Sequence, residues 1–303
     1  MNEYKMPHTL PHPFVGSRQL QVTDESNGPS FPVLVHYPTH TPSAPTAFGP
    51  YTMDVSPEAA VSKGRFPLVI ISHGNSGSHL LYRTISMHLA RHGYIVAMLE
   101  HYGNNRNDNS LGDKVENLQY RPRHLSMTMD ALLADETVGR QIDSDKIAVI
   151  GHSFGGYTAL VVAGGQPWTR AGEPVAVQHD FRVKALVLMA PSAGWFNAPN
   201  ALARVTAPIL LLQAEHDPYT PAWNADVIVN GVPDSSQVTV RVIENAGHFS
   251  FISPFPPAMQ NPNFLPATDP PGFDREHFHT RLPEDILRFL NDKLQGFSSE
   301  ENS

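Results

Sequence analysis

A chain of 303 residues has room for one α/β domain with insertions or for two smaller domains. Its formal net charge of −8, with no basic cluster, argues against a nucleic-acid partner. The absence of cysteine removes disulfides, thiolate catalysis and cysteine-ligated metals.

The N-terminus, Met1 to His8, carries Glu3 and no apolar h-region, so no signal peptide is expected and a cytoplasmic protein is the default reading. No apolar run is long enough to span a bilayer. Residues 1–16 form a Pro/His-rich lead-in. Residues 18–23 and 31–37 read as strands joined by a turn at 26–29, and 39–63 as loop. Phe66 to Ser72 has the composition of a strand buried on both faces. From Leu80 to His92, helical spacing puts Leu81, Ile85, His88 and Leu89 near one face, and Gly93 stops the helix. Tyr94 to Leu99 is a further buried strand, and 103–124 a candidate lid or insertion loop. Leu125, Met129, Leu132 and Leu133 repeat at helical spacing before the apolar run Ile147 to Ile150. Residues 185–189, 208–212 and 238–242 read as strands, the last edge-like. Residues 166–180 are a second candidate lid, 283–294 a closing helix and 295–303 a polar tail. Strands alternating with helices predict an α/β fold: one domain with a mostly parallel central sheet and helices on both faces. The 28 prolines fall mostly between the apolar runs, as ordered loops require.

Within that frame, Gly151-His152-Ser153-Phe154-Gly155-Gly156 fits G-x-S-x-G between a buried strand and a helix of small apolar residues. The glycines permit a strand-to-helix turn that other side chains would block. Such a turn lifts Ser153 Oγ above the sheet at a helix N-terminus, as a nucleophile.

Reactive groups in such a sheet belong on loops leaving the carboxyl ends of strands. Acyl transfer develops negative charge on the substrate oxygen, which fixed backbone N–H groups stabilise. The N–H after the nucleophile, Phe154, supplies one donor; Ser72 to Ser78 supplies the other, at Asn75 with Ser76 second. Gln213 to Thr220 offers the acid that orients the base: Asp217, with Glu215 as rival, although Asp217 also suits a helix cap. Asn245 to Phe251 offers His248 as the proton carrier, in the chain order Ser, Asp, His. His279 is the fallback base; His152 is disfavoured because side chains beside the nucleophile point away from its hydroxyl.

Tyr82, His101, Tyr102, Trp195 and Phe249 lie near these loops and are expected to touch substrate, with Phe196, Tyr219 and Phe251 as further aromatic neighbours. His88 and His92 have the i, i+4 spacing of metal ligands, but His92 abuts Gly93, where a cation suits a helix end. His8 with His12 sits among prolines, and His277 with His279 has only Glu276 as an acidic neighbour. No metal and no cofactor are expected.

The run Ser72-His-Gly-Asn-Ser-Gly-Ser78, Leu81-Tyr82, Leu89-Ala-Arg-His-Gly-Tyr-Ile-Val96 and Glu100-His101, with Gly151 to Gly156, resembles bacterial proteins of the predicted dienelactone-hydrolase type and the related platelet-activating-factor acetylhydrolases. The resemblance is dense over residues 66–163 and recurs over 207–251. It implies the α/β-hydrolase fold, a serine nucleophile, no cofactor, and oxyanion donors at the N–H groups of Asn75 and Phe154. Two departures limit it. Dienelactone hydrolases use a cysteine nucleophile, which this chain lacks. The acetylhydrolases place their acid after the strand following the nucleophile, where this chain reads Leu188-Met-Ala-Pro191, so the acid reverts to Asp217 and phospholipid specificity does not carry over.

The expected activity is cleavage of a small-molecule carboxylic ester through an acyl-enzyme. Amide or thioester hydrolysis by the same groups is the alternative, with His101, Asn104 and Asn105 as a polar loop for an amide. A catalytically silent binding protein on the same fold is the alternative of another class.

Overall fold

The computed structural model describes residues 12–24 and 30–296. The expected turn at 26–29, most of the N-terminal lead-in and residues 297–303 of the tail lie outside them. Ten strands form one sheet: β1 (Phe14–Val22), β2 (Phe31–Thr39), β3 (Ala44–Phe48), β4 (Tyr51–Pro57), β5 (Phe66–Ser72), β6 (Ile95–Leu99), β7 (Ile142–His152), β8 (Val183–Met189), β9 (Ile209–His216) and β10 (Val238–Gly247). Their order across the sheet is β10-β9-β8-β7-β5-β6-β2-β1-β4-β3. From β10 to β6 every pair is parallel, and β2 turns the direction by pairing antiparallel with β6 and β1. This is the α/β-hydrolase fold. Among the described residues no helix is long and apolar enough to cross a membrane.

Because successive side chains of a strand point to opposite faces, a sheet covered on both sides needs apolar residues at every position. β5 shows this. Leu68 and Ile70 join one core with Leu118, Leu125, Met129 and Leu132 of α2 (Val115–Ala134) and the apolar face of α3 (Phe154–Val162). Val69 and Ile71 join a second core with Ile85 and Leu89 of α1 (Arg83–Arg91) and Leu282, Ile286 and Leu290 of α5 (Arg275–Leu290). The remaining helix, α4 (Trp223–Gly231), packs beside the loop after β8.

Three expectations need correction. Residues 39–63 are not all loop: Tyr51, Met53 and Val55 are buried and alternate with exposed Thr52 and Asp54, and β4 pairs with β3 as a hairpin. Residues 115–124 belong to α2. Pro122 is tolerated inside that helix because the Leu118 carbonyl, which an N–H at 122 would have bonded, accepts the Tyr157 hydroxyl at 2.9 Å. The closing helix starts at Arg275, where Asp274 caps it by accepting the His277 N–H, so Pro283 lies inside it.

Candidate active site

Ser153 stands between β7 and α3 with φ 55° and ψ −119°, a conformation that only a constrained turn maintains. The constraint is steric. A Cβ on Gly151 would lie 2.2 Å from the Gly155 carbonyl oxygen, and one on Gly155 would lie 2.0 Å from the Ser72 carbonyl oxygen. Strand end, turn and helix start pack backbone to backbone, and Ser153 N–H donates to Met189 O at 3.0 Å. The side chain is left half-buried at the carboxyl edge of the sheet.

Two loops further along the sheet bring His248 to it. β10 pairs with β9 in register until Ile243, opposite Ala214; pairing resumes at Gly247, opposite His216. The bulge between holds Asn245 at φ 56°, and Asn245 N–H donates to Glu215 Oε2 at 2.7 Å. His248 follows directly. Its Nε2 lies 2.9 Å from Ser153 Oγ and its Nδ1 2.8 Å from Asp217 Oδ2. The carboxylate accepts Nδ1–H, which leaves the Nε2 lone pair facing the serine hydroxyl.

Asp217 follows β9. Its Oδ1 accepts the N–H groups of Tyr219 and Thr220 at 2.8 Å each, and Thr220 Oγ1 donates to Oδ2 at 2.7 Å. Burial alone would raise its pKa, but the bonds from His248 and Thr220 outweigh burial and hold it at about 2. Glu215, the rival acid, is exposed and pins the bulge instead.

The loop after β5 comes within van der Waals reach of the serine: a Cβ on Gly74 would lie 3.2 Å from Ser153 Cβ. Among the described residues no acceptor takes the N–H of Asn75 or of Phe154. Asn75 is exposed at the loop tip, and Ser76 beside it has φ 50°. A buried chain sets the loop from behind. Asn104 Nδ2 donates to Asn75 Oδ1 at 2.7 Å, and Arg121 Nη1 donates to Asn104 Oδ1 at 2.7 Å. Arg121 also donates Nε–H to Thr158 Oγ1 at 3.0 Å and Nη2–H to the His73 carbonyl, and its guanidinium lies 4.8 Å from the centre of the Phe154 ring. It is fully buried, and among the described residues no carboxylate pairs with it. Burial lowers its pKa to about 9, so it remains a cation at neutral pH.

The remaining expected residues fall partly beside these groups and partly behind them. Tyr82 is 1% exposed. Its hydroxyl accepts Gly74 N–H at 3.4 Å and donates to His152 Nδ1 at 3.0 Å, so it braces the loop. His152 donates Nε2–H to the carbonyl of His248 at 2.9 Å, and burial, with His248 nearby, lowers its pKa to about 3. His101 is fully buried between Ser72 Oγ at 2.8 Å and His124 Nδ1 at 3.2 Å. Asn104 and Asn105 are buried in bonds of their own, so the polar loop offered for an amide is occupied internally. His279 bonds Thr84 and Ser250 from α5 and does not reach the serine. Tyr102 is half-buried against the α2 side of the core. Trp195 packs on the rings of Phe154 and Tyr157, at 5.2 and 5.1 Å. Phe249 stands edge-on to His248 at 5.2 Å, and Tyr219, 56% exposed, lies 5.1 Å from the same imidazole. Sequence reading missed Thr220 and Arg121. The first stood in plain view three residues after Asp217, where a turn closes; the second sat in a stretch that reads as solvated loop.

Known proteins resemble this chain in sequence and fold. The profile of a family described as alpha/beta hydrolase fold matches residues 67–207, and that of a family described as TAP-like protein matches 186–261. A cutinase of Thermobifida alba is 25% identical over 60% of this chain and 53% of its own length. A bis(hydroxyethyl) terephthalate hydrolase of Streptomyces coelicolor is 26% identical over 63% of this chain and 53% of its own. The platelet-activating factor acetylhydrolase of the dog is 30% identical over 37% of this chain and 35% of its own. The chain thus matches about half, or less, of the length of these relatives. A ferulic acid esterase from Streptomyces cinnamoneus superposes with a TM-score of 0.71 over 96% of this chain and 93% of that one, at 20% identity.

Proposed function

Starting from a chain with the α/β-hydrolase fold, we propose that it is a serine hydrolase cleaving a carboxylic ester of a small molecule through an acyl-enzyme. The observation that carries this reading is the line Ser153 Oγ, His248 Nε2, His248 Nδ1, Asp217 Oδ2, with separations of 2.9 Å and 2.8 Å. Ser153 Oγ attacks the carbonyl carbon while His248 Nε2 takes its proton. The carbonyl oxygen becomes an oxyanion held by the N–H groups of Asn75 and Phe154. The intermediate expels the alcohol, which takes the proton from His248, and water repeats the sequence on the acyl-serine. Asp217 stabilises the imidazolium formed at each step.

The relatives' names all belong to ester-cleaving enzymes, which supports an ester over an amide. Tyr219 and Phe249 beside His248 suit an ester with an apolar or aromatic group. A fluorophosphonate probe is expected to label wild type at Ser153, and Ser153→Ala is expected to lose both labelling and turnover of p-nitrophenyl esters. A folded wild type that neither labels nor turns over any ester would replace this reading with that of a binding protein. Turnover of anilides above that of matched esters would reassign the substrate class.

A further inference from the structure

Among the described residues, one set of three ligand-type side chains brings its donor atoms close enough to share an ion. α1 leads into β6, so its C-terminal end lies at the edge of the sheet opposite Ser153. There His88 and His92, one helical turn apart, have ring centroids 4.3 Å apart. Glu284 reaches across from α5, and its Oε2 lies 3.3 Å from His88 Nε2. One ligand atom from each of the three lies within 4.8 Å of the others.

Among the described residues, these donor atoms take no hydrogen bond from outside the cluster. His92 donates Nδ1–H to the His88 carbonyl at 2.8 Å, which fixes its tautomer and leaves the Nε2 lone pair free. Metal-bound histidines are commonly backed in this way by a backbone carbonyl. His88 Nε2 is buried and, among the described residues, has no hydrogen-bond partner; its approach to Glu284 does not meet hydrogen-bond geometry. Two ligands each about 2 Å from a tetrahedral ion stand about 3.3 Å apart. That is the separation of His88 Nε2 and Glu284 Oε2.

We propose that His88, His92 and Glu284 bind a divalent transition-metal ion, with water completing the coordination, and that the ion clamps α5 to α1. Two imidazoles and one carboxylate favour zinc over calcium or magnesium, which take oxygen ligands. The place is structural, since the opposite sheet edge carries the serine.

The test uses the full chain freed of metal with a chelator. Calorimetric titration with zinc chloride is expected to give one ion per chain and a thermal midpoint raised by a few degrees. Cobalt chloride is expected to give the intense visible absorption of four-coordinate cobalt. His88→Gln and Glu284→Gln are each expected to weaken zinc binding at least about tenfold, since losing even a supporting contact costs that much. Both are expected to keep wild-type ester turnover, which reports that they fold. Binding of equal strength in both variants would place the ion elsewhere among the histidines and overturn the proposal. So would a wild type whose midpoint and cobalt spectrum do not respond.

Discussion

Asp217 uses its two oxygens for two tasks. Oδ1 closes the turn after β9 by accepting the N–H groups of Tyr219 and Thr220, and Oδ2 holds His248. With its pKa held at about 2, against an ordinary 3.8, the carboxylate stays ionised across the working range of pH. Its folded value is depressed, so the stability it contributes is full above about 3.8 and is lost as pH falls toward 2. An acid limb in the activity profile above pH 4 therefore does not belong to this group. Asp217→Asn is expected to lower kcat on a p-nitrophenyl ester by about 10⁴-fold, because an amide no longer enforces the tautomer that faces Ser153. Glu215→Gln is expected to stay within about threefold of wild type, since its amide oxygen still accepts Asn245 N–H. The reverse pattern in the two rate constants would move the acid to Glu215. At this scale the sequence revealed which residues meet, because G-x-S-x-G and the carboxyl ends of β9 and β10 leave few choices. It did not reveal direction. Tyr82 and His101 sit beside the same loops as Asn75, yet both point inward, and nothing in residue type separates a side chain over the sheet from one beneath it.

Between elements, the loop after β5 owes its shape to α2. Arg121, Asn104 and Asn75 form a line of bonds from the core to the loop tip. Among the described residues no carboxylate stands beside this buried cation; such a charge is expensive to keep, and its bonds to Asn104, Thr158 and the His73 carbonyl offset that cost. On the proposed mechanism, Asn104 and Arg121 act as positioning residues. Asn104→Ala is expected to lower kcat about tenfold or more with KM changed less than about threefold, because a loosened Asn75 N–H weakens the hold on the oxyanion alone. A purely structural role would instead lower the thermal midpoint and leave kcat of the folded fraction intact. Asn104→Asp, which keeps the acceptor for Arg121 and loses the donor to Asn75, is expected to share the kcat defect. None of this line was legible beforehand, since it joins residues distant in sequence through a helix whose first half, broken by Pro122, reads as loop. The β3–β4 hairpin was legible in principle: Tyr51, Met53 and Val55 alternate, but the prolines, alanines and serines on the approach conceal the pattern.

For the molecule as a whole, the two-sided core dictates a response to acid. His36, His73, His101, His124 and His152 are all buried, and burial is the leading cause that lowers the pKa of each below its ordinary 6.5. For His36, His124 and His152 the value falls to about 3. The unfolded chain binds protons at these sites from about 6.5 downward and the folded chain does not, so stability is full above that value and is lost as pH falls toward 3. Each such group contributes a slope of roughly 1 kcal/mol per pH unit in that window. Urea unfolding at pH 7.5, 6.0 and 5.0 is expected to show the midpoint falling steeply; a flat profile would mean that these imidazoles are charged in the native state. The parallel sheet and its flanking helices were legible because strands buried on both faces must be continuously apolar. The depth of these histidines was not, since a polar side chain in the sequence carries no mark of where it ends.

The slip in register between β9 and β10 bears on how such a chain can change over generations. From Ile243 to Gly247 β10 takes four steps while β9, from Ala214 to His216, takes two. A lineage that shed the two surplus residues would gain a tidier ladder and lose its chemistry, with the imidazole retracted and the hydroxyl stranded. On the proposed mechanism, a lineage under selection for turnover therefore keeps the irregularity.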